Sequence, residues 1–559
     1  MSGDRAPSDR PRAGGRILVD QLRTQRVGAV FCVPGESYLP ALEALRTTPE
    51  IRTLVCRHEA SAANMAEAYG KMTGWPGVCF VTRGPGAFQA SVGVHTAAQD
   101  STPMLLLIGQ VPRSHRHRED FQEVDYEATF GSVAKWVATV TDATRLPEYL
   151  ARAVRTSITG RPGPVVLALP EDVLWEEATV EDAPIVTPAR SAPSPEDLQL
   201  LDGWLRTAQR PTIIVGGSGW DTAAIDSLQL AVEQLELPAV AAFRRQDVLA
   251  NDSPSYVGFL GLGERPELRG EIADSDLVIA VGTRLDSITT RGFTLLEVPH
   301  PQQRLVHVHP SPDESGRNHP SSLAIASSVR EFCTELAALD GIEPARWRSW
   351  RHLRRERQQA SWQVSSELND PIASVMTTIQ ELSPDGTVFT NGAGNYSAWC
   401  HRYLRFSTYP SQLAPVSGAM GYGLPAAIAA AIAQPQRQVV TIGGDGCFHM
   451  ACADMVTASR YNLPIVAVIL NNGLYGTIRT HQERRFPRNG FATDLINPDF
   501  GGLARASGWD VQSPDSVETF ATSYEQALSS SVPTLLEIAT DPEQLLPGTH
   551  VDDVRSRST

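Results

Sequence analysis

At 559 residues the chain is too long for a single hydrophobic core, and typical domain sizes predict about three domains. Hydrophobic residues make up 42% of the chain and charged residues 20%, as in globular proteins that bury large cores. The net charge of −15 argues against nucleic acid or an anionic membrane as the main partner.

The chain opens with the polar stretch MSGDRAPSDRPRAGGR, which lacks the apolar core of a signal peptide. We expect a disordered lead over residues 1–15. The longest apolar runs, such as LPIVAVIL, reach about a third of a membrane span. The seven cysteines are scattered and lack metal-type spacing. These features predict a protein of the reducing cytoplasm with no membrane contact.

Short apolar runs alternate with helix-like segments along the whole chain, which predicts the α/β class with buried parallel strands. A stretch rich in proline and polar residues at 181–197 and a charged segment at 343–363 separate three blocks. Each block has the size of one doubly wound parallel sheet. We therefore predict an N-terminal domain at 16–180, a central domain at 190–342 and a C-terminal domain at 365–547.

In the first block, Glu59 lies in the segment RHEASAANMAEAYGK, and RGPGAFQ follows the apolar run GVCFV. The glutamate can be a functional carboxyl, or it can start a helix whose dipole favours negative charge. RGPGAFQ is typical of a tight turn after a strand. In the central block, IIVGGSGW can be a dinucleotide-binding turn or a structural strand end, because its glycine spacing is imperfect.

In the third block, GGDG follows the apolar run QVVTI, and NNG ends the next apolar run after 24 intervening residues. Parallel strands bring their carboxyl ends side by side, so Asp445 and Asn472 are expected to meet. A carboxylate, an amide oxygen and a backbone carbonyl suit Mg²⁺, which would neutralise a bound phosphate without a lysine. The alternative is two unrelated turns, since GDG and NNG are common turn sequences.

These motifs resemble those of thiamine-diphosphate-dependent enzymes, and best those of the acetolactate synthase group, over nearly the whole chain from VFCVPGESYLPALEAL to PTLLEIA. The resemblance implies that Asp445, Asn472 and the carbonyl of Leu474 hold Mg²⁺ on the cofactor diphosphate. It also implies that the backbone around Gly444, Gly446 and Cys447 faces the phosphates.

Two further segments extend the resemblance in the third block. TNGAGNYSAW resembles the other diphosphate loop of the family, which implicates Gly394 and Asn395, although Tyr396 stands where a histidine is usual. SGAMGYGLPAAIAAAIA resembles the turn in which the carbonyl of Gly418 accepts a proton of the 4′-amino group and Met420 holds the cofactor bent.

The first block resembles the family's pyrimidine-binding region. Glu59 is at the position of the catalytic glutamate, and Pro85 and Gln89 are near the pyrimidine ring. Burial is expected to raise the pKa of Glu59 and favour the protonated carboxyl that this role needs. Because one cofactor spans the first and third blocks, and these come from different subunits in the family, the resemblance implies a homodimer or homotetramer with active sites between subunits.

The resemblance also implies the type of reaction. GQVPR, FQE and GRPGPVVLALPEDV match acetolactate synthases, which places Phe121 and Gln122 near the substrate. The expected reaction is decarboxylation of a pyruvate-like 2-oxo acid and transfer of the acyl unit to a second carbonyl compound. The alternatives are a non-oxidative decarboxylase, an acyloin lyase, or a catalytically silent cofactor-binding oligomer.

Three positions depart from the family pattern. Glu36 in VPGESY takes the place of a small glycine near the reacting carbon, and Thr477 and His481 replace a methionine and a tryptophan. Glu36 and His481 make the site more polar, can act as acid or base, and favour a substrate with a hydroxyl, an amine or a charge. GFLGLGE and GTRLDSITTRGF resemble flavin-contacting segments, and either FAD binding or a structural role is compatible with them.

Overall fold

The computed structural model describes residues 10–364 and 370–556, and the chain divides into two compact units at Ala189 and Arg190. The predicted lead is wrong for residues 12–15, because Arg12–Ala13 forms a strand and a helix begins at Gly14. The Arg12 guanidinium fixes this segment by pairing with Asp20 and Asp182. Residues 1–9 of the predicted lead lie outside the described residues.

The first unit contains a six-stranded parallel sheet in the order β3-β2-β4-β5-β7-β6, together with an antiparallel pair of β1 and β8. Its central strands are apolar and fully buried, so helices cover both faces. The elements are β1 (Arg12–Ala13), α1 (Gly14–Thr24), β2 (Ala29–Cys32), α2 (Leu39–Arg46), β3 (Arg52–Val55), α3 (Glu59–Thr73), β4 (Gly77–Val81), α4 (Gly84–Asp100), β5 (Met104–Gln110), α5 (Tyr126–Phe130), β6 (Trp136–Thr139), α6 (Leu146–Ile158), β7 (Pro164–Pro170), α7 (Glu171–Trp175) and β8 (Glu177–Ala178).

The second unit begins with another six-stranded parallel sheet, in the order β11-β10-β9-β12-β13-β14. Gly217 after β9 has φ +72°, and a Cβ there would lie 1.9 Å from the carbonyl oxygen of Gly282, so close backbone approach accounts for this glycine. The elements are α8 (Pro195–Leu205), β9 (Pro211–Val215), α9 (Thr222–Gln234), β10 (Ala239–Ala241), β11 (Tyr256–Phe259), α10 (Leu268–Ala273), β12 (Leu277–Val281), β13 (Arg304–His309), β14 (Leu323–Ala326), α11 (Val329–Ala337) and α12 (Arg348–Ser361).

A third six-stranded parallel sheet follows in the same unit, in the order β16-β15-β17-β18-β20-β19, with an antiparallel pair of β21 and β22. The elements are α13 (Pro371–Leu382), β15 (Val388–Asn391), α14 (Ser397–Tyr403), β16 (Gln412–Leu413), α15 (Gly423–Ala433), β17 (Val439–Gly444), α16 (Asp445–His449), α17 (Met455–Arg460), β18 (Ile465–Asn471), α18 (Gly476–Arg485), α19 (Phe500–Ala506), β19 (Asp510–Gln512), α20 (Val517–Leu528), β20 (Thr534–Ala539), β21 (Gln544–Leu546), β22 (Thr549–His550) and α21 (Val551–Ser556).

Three parallel sheets flanked by helices confirm the predicted α/β class. In the third sheet, Gly444 of β17 pairs with Leu470 of β18, so both strands end at the same edge. The GGDG and NNG turns therefore leave the sheet side by side. None of the helices in the described part of the chain has both the length and the hydropathy needed to span a bilayer.

The charged segment predicted between the second and third blocks forms α12, and it is more than a solvated connector. Arg354 of α12 is fully buried and donates to Glu271 at 3.1 Å and to the Thr212 hydroxyl at 2.6 Å. Arg265 and Arg357 also pair with Glu271. The buried carboxylate of Glu271 on α10 thus holds Arg354 and Arg357 of α12 together with Arg265, which precedes α10.

Replacing Glu271 with glutamine leaves these arginines without their shared anion. We expect the free energy of unfolding to fall by about 3 kcal/mol, because removal of the Glu271 carboxylate leaves the buried arginine charge without a counterion. Burial alone would raise the pKa of Glu271, but hydrogen bonds from Arg265 and Arg357 hold it below the usual range. The Glu271 contribution is therefore present at neutral pH and is lost as the pH falls through this lowered pKa.

The measurement is the thermal unfolding midpoint of both proteins between neutral and acidic pH. Glu267→Gln is the matched control, since Glu267 lies near the same Arg265 but is exposed. Equal midpoints for the two variants at neutral pH would contradict the role of Glu271.

Candidate functional site

Asp445 is the first residue of α16, directly after β17, and its side chain is buried. Its Oδ2 atom accepts hydrogen bonds from the Gly473 N–H at 2.9 Å and from the Asn497 amide at 2.6 Å. The first bond joins the GGDG turn to the NNG turn, as the spacing predicts. Among the described residues no hydrogen bond reaches Oδ1, so this oxygen is available to a ligand.

Side-chain hydrogen bonds hold the NNG turn. Asn472 Oδ1 accepts the Leu474 N–H at 3.1 Å, and the Asn471 amide donates to Glu537 at 2.8 Å. Asn497 also donates to Asn471 Oδ1 at 2.9 Å, so it links both turns. Sequence reasoning missed Asn497, and the only local signal was the Asn-Pro pair in INPDF, which is typical of any turn.

The donor set fits a hard cation with phosphate ligands. The buried Asp445 carboxylate is bonded to the NNG turn, where the Asn472 amide oxygen lies beside the backbone of Leu474, and oxygen ligands are the set that Mg²⁺ takes. The described residues contain no cluster of three or more His, Cys, Asp or Glu side chains suited to a metal. A single carboxylate is therefore consistent with a cation whose remaining charge is balanced by a phosphate rather than by protein.

The second predicted diphosphate loop is fastened to α18. Asn395 accepts a hydrogen bond from the Thr477 hydroxyl at 3.0 Å and donates to the Thr480 hydroxyl at 2.8 Å. Gly394 has φ +154°, and a Cβ there would lie 2.7 Å from the Tyr396 ring. Thr477 was predicted to replace a methionine in the substrate pocket, and its hydroxyl instead supports Asn395. Thr477 lies on α18, the helix that also carries the exposed His481.

Tyr396 points into the protein. Its hydroxyl accepts the Gly392 N–H at 2.9 Å and donates to Cys447 Sγ at 3.4 Å, and the Gly421 N–H also donates to this sulfur at 3.4 Å. Burial, with the Cys447 thiol beside it, raises the pKa of Tyr396 well above its usual value. The Tyr396–Cys447 pair therefore connects the segments at Gly392, at Gly421 and at the GGDG turn. The sequence did not indicate this role for either residue.

The turn with Gly418 and Met420 belongs to one of these segments. Gly418 has φ +70°, and a Cβ at this position would have no neighbour within 4 Å, so its backbone borders open space. Met420 is half-buried and packs against the hydrophobic core of the third sheet. The glycine thus faces space that a ligand can use, while the methionine is supported from behind.

The glycines of the GGDG turn are needed for close packing. A Cβ at Gly446 would meet the side chains of Tyr475 and Leu495, at 2.8 Å and 2.9 Å. A Cβ at Gly444 would lie 3.0 Å from the Tyr396 ring. Gly446 and Gly444 therefore leave no room for side chains.

In the first unit, Glu59 begins α3, and the His58 ring caps this helix by accepting the Ala60 N–H. Glu59 is half-buried in the chain. Its Oε1 lies 3.5 Å from the position of a Cβ at Gly86, in the predicted pyrimidine turn. The carboxyl and the RGPGAFQ turn are therefore neighbours.

The residues predicted to lie near the pyrimidine and the substrate share one edge of this sheet. Pro85 and Gln89 lie exposed on α4, and Phe121 is 68% exposed. The Gly84 N–H donates to the carbonyl of Gln122 at 3.1 Å, so the loop containing Phe121 and Gln122 contacts the RGPGAFQ turn.

Glu36 is also at this edge, and its Oε1 lies 3.2 Å from Arg83 Nη1. His481 belongs to the second unit. The two polar departures are thus on separate units of the chain.

The central segments that resemble flavin-contacting loops make protein contacts. The carbonyl oxygen of Leu262 lies 2.9 Å from His401 Nδ1, and that of Gly263 accepts from Arg402 at 3.0 Å. Asp286 caps its own turn by accepting the Ile288 and Thr289 N–H groups. These contacts account for both loops as structure.

Comparisons with known proteins match this architecture. Three domains of the thiamine pyrophosphate enzyme family match the chain: the N-terminal TPP binding domain over residues 12–129, the central domain over 201–336, and the C-terminal TPP binding domain over 392–538. The chain belongs to the thiamine pyrophosphate enzyme family.

Within this family the chain is similar to acetolactate synthase large subunits. It is 31% identical to that of Parasynechococcus marenigrum, over 94% of this chain and 87% of the relative. It is 30% identical to the isozyme 2 large subunit of Escherichia coli, over 94% and 95%, and 28% identical to a probable large subunit of Methanocaldococcus jannaschii, over 96% and 93%. The resemblance predicted from the motifs is confirmed.

The Tyr396 hydroxyl can be tested directly. Tyr396→Phe leaves the Gly392 N–H buried without its acceptor, at a cost of about 1–3 kcal/mol. We expect about tenfold or greater loss of thiamine diphosphate affinity, measured by calorimetric titration in the presence of Mg²⁺. Tyr149→Phe makes the same change in the first unit and serves as the control. Unchanged affinity in Tyr396→Phe would show that its hydroxyl does not organise the cofactor loops.

Proposed function

We propose that the protein binds thiamine diphosphate with Mg²⁺, decarboxylates a pyruvate-like 2-oxo acid and joins the acyl unit to a second carbonyl compound. The observation that carries this proposal is the hydrogen bond between Asp445 and the Gly473 N–H, which joins two turns at the edge of one sheet. Family membership and the acetolactate synthase relatives support the reaction class.

In this proposal Mg²⁺ is held by Asp445, the Asn472 side chain and the Leu474 carbonyl. The backbone of Gly444, Gly446 and Cys447, with Gly394 and Asn395 of the opposite loop, surrounds the diphosphate. The buried Asp445 carboxylate balances part of the metal charge, and its bonds to Gly473 and Asn497 fix the oxygen orientation.

Glu59 holds the proton at the pyrimidine end, beside Gly86 and Pro85, and Gly418 offers a carbonyl acceptor for the 4′-amino group. When bound, thiamine diphosphate supplies the nucleophilic carbon and the electron sink for loss of the carboxylate. Phe121 and Gln122 border the substrate in this proposal, and the exposed Phe121 ring offers an apolar wall that limits water.

Two cofactor and assembly proposals accompany this function. We infer a homodimer or homotetramer with active sites between subunits, because one cofactor must contact both the Glu59 and the Asp445 half-sites, and the family resemblance implies that these come from different subunits. All seven cysteines are free of disulfides, which supports a reducing cytoplasmic location. FAD is not needed to explain the central loops, and the visible absorbance spectrum of the purified protein tests for it.

A decarboxylase or acyloin lyase on the same scaffold is the second candidate, because Glu36 adds a charged acceptor at the edge that carries the substrate-side residues. Purified protein with thiamine diphosphate and Mg²⁺, assayed against a panel of 2-oxo acids and aldehydes, separates these functions. Products with a new carbon–carbon bond support the proposed carboligase. Free aldehyde supports the decarboxylase, cleavage of an acyloin supports the lyase, and no product supports a silent cofactor-binding oligomer.

Glu59→Gln and Asp445→Ala should fail in different ways. Glu59→Gln keeps the fold and the diphosphate site but loses the titratable carboxyl, so turnover should fall by about 100-fold or more while cofactor affinity changes little. Asp445→Ala removes a metal ligand, so cofactor affinity itself should fall. Calorimetry and steady-state rates measure the two effects, and full turnover in Glu59→Gln would refute its proton role.

His481→Trp tests the acceptor pocket. The exposed histidine of α18 is replaced by a large apolar ring, so the product profile should shift toward small apolar 2-oxo acid acceptors. Competition between apolar and polar acceptors, analysed by product ratios, measures the shift. The neighbouring exposed Arg484→Ala serves as a control on the same helix, and an unaltered profile in His481→Trp would remove His481 from the pocket.

A further inference from the structure

A buried cation lies at the carboxyl edge of the first sheet. Arg83 follows β4 and is 7% exposed, and its guanidinium lies between Glu36, after β2, and Glu171, after β7. The distance to Glu171 is 2.6 Å and that to Glu36 is 3.2 Å. Three strand ends therefore converge on one arginine at the edge where parallel sheets bind ligands.

The turn that carries Glu36 is held firmly. Ser37 Oγ lies 3.0 Å from the Thr82 hydroxyl, and the Tyr38 ring stacks on Phe80 with centroids 4.0 Å apart. The Tyr38 hydroxyl donates to the Val33 carbonyl at 2.6 Å. With its neighbours fixed in this way, the position of the Glu36 backbone is preorganised rather than mobile.

The two carboxylates on Arg83 differ in environment. The Glu171 side chain is 28% exposed and makes the shorter bond, whereas the Glu36 side chain is 64% exposed. Glu36 contacts Arg83 through Oε1, and the described residues make no hydrogen bond to its Oε2. A carboxylate oxygen is an acceptor, so its partner must be a hydrogen-bond donor.

We propose that Glu36 is a specificity-determining residue that accepts a hydrogen bond from a hydroxyl group beside the carbonyl of the substrate. Arg83 is the positioning residue that orients Glu36, and Glu171 holds Arg83. The substrate class is a small hydroxylated 2-oxo acid or aldehyde, and this inference rests on the proposed function.

Charge favours a neutral hydroxyl over an anion at this position. One arginine and two glutamates carry a net charge of −1, which disfavours a second carboxylate on the substrate at this position. Both terminal nitrogens of Arg83 already donate to Glu36 and Glu171, and its Nε is buried, so Arg83 offers little to an added anion. A neutral hydroxyl needs only the free oxygen of Glu36 as its acceptor and adds no charge beside Arg83.

The test compares matched pairs that differ by one hydroxyl. Hydroxypyruvate is compared with pyruvate as donor, and glycolaldehyde with acetaldehyde as acceptor, using the protein loaded with thiamine diphosphate and Mg²⁺. We expect kcat/KM to favour the hydroxylated member at least about tenfold, and Glu36→Ala to reduce this ratio by about 10- to 100-fold, since the hydroxyl loses a charged acceptor.

The positioning role of Arg83 is tested by the kcat/KM ratio of the matched substrate pairs, which a purely structural role would not change. Arg83→Gln should lower the same ratio mainly through KM of the hydroxylated substrate, and Arg83→Lys should recover part of it because it retains the cation. Glu43→Gln is the matched control, because Glu43 is an exposed glutamate paired with Arg46 on the neighbouring helix α2. Both ratios should stay within about twofold of the original protein in this control.

A binding measurement separates this inference from the proposed reaction. Glycerate and lactate differ by the same hydroxyl and cannot be decarboxylated in this way, so their affinities are compared by calorimetry. Tighter binding of glycerate that is lost in Glu36→Ala supports the inference even without turnover. Equal affinities, an equal ratio in Glu36→Ala, or a preference for the members without the hydroxyl would overturn it, while CO₂ release from any donor still supports the reaction.

Discussion

The parallel register of β17 and β18 is the constraint on which the candidate site depends. Because these strands end together, the turns after them meet, and the Asp445 carboxylate satisfies the Gly473 N–H. A buried carboxylate without such a bond would be costly, since the group is removed from water. In the proposed site the same bond would orient the acid for a cation, so packing and the proposed function require the same geometry of Asp445.

Around this bond the protein uses side chains to connect glycine-rich segments that cannot stabilise themselves. Tyr396 and Cys447 bring together the loops at Gly392 and Gly421, and Asn497 bridges the GGDG and NNG turns. In the first unit the stacked Tyr38 and Phe80 rings fix the turn of Glu36. Glycine allows close backbone approach, and the polar and aromatic neighbours supply the rigidity that glycine lacks.

The fold was largely predictable because the apolar strand runs, the turn glycines and the spacing of Asp445 and Asn472 are local features of the sequence. In a parallel sheet these features determine which turns lie side by side at the carboxyl edge. The roles of Tyr396, Asn497 and Arg83 were not, because each depends on residues distant in sequence and on which way a side chain turns.

Asn395 is held by two threonines of α18, so the diphosphate loop and the start of that helix share one set of hydrogen bonds. A ligand that orders the loop stabilises the first turn of α18, and a ligand that orders the helix stabilises the loop. By thermodynamic linkage, two ligands that order these two segments would each raise the affinity for the other by the same factor.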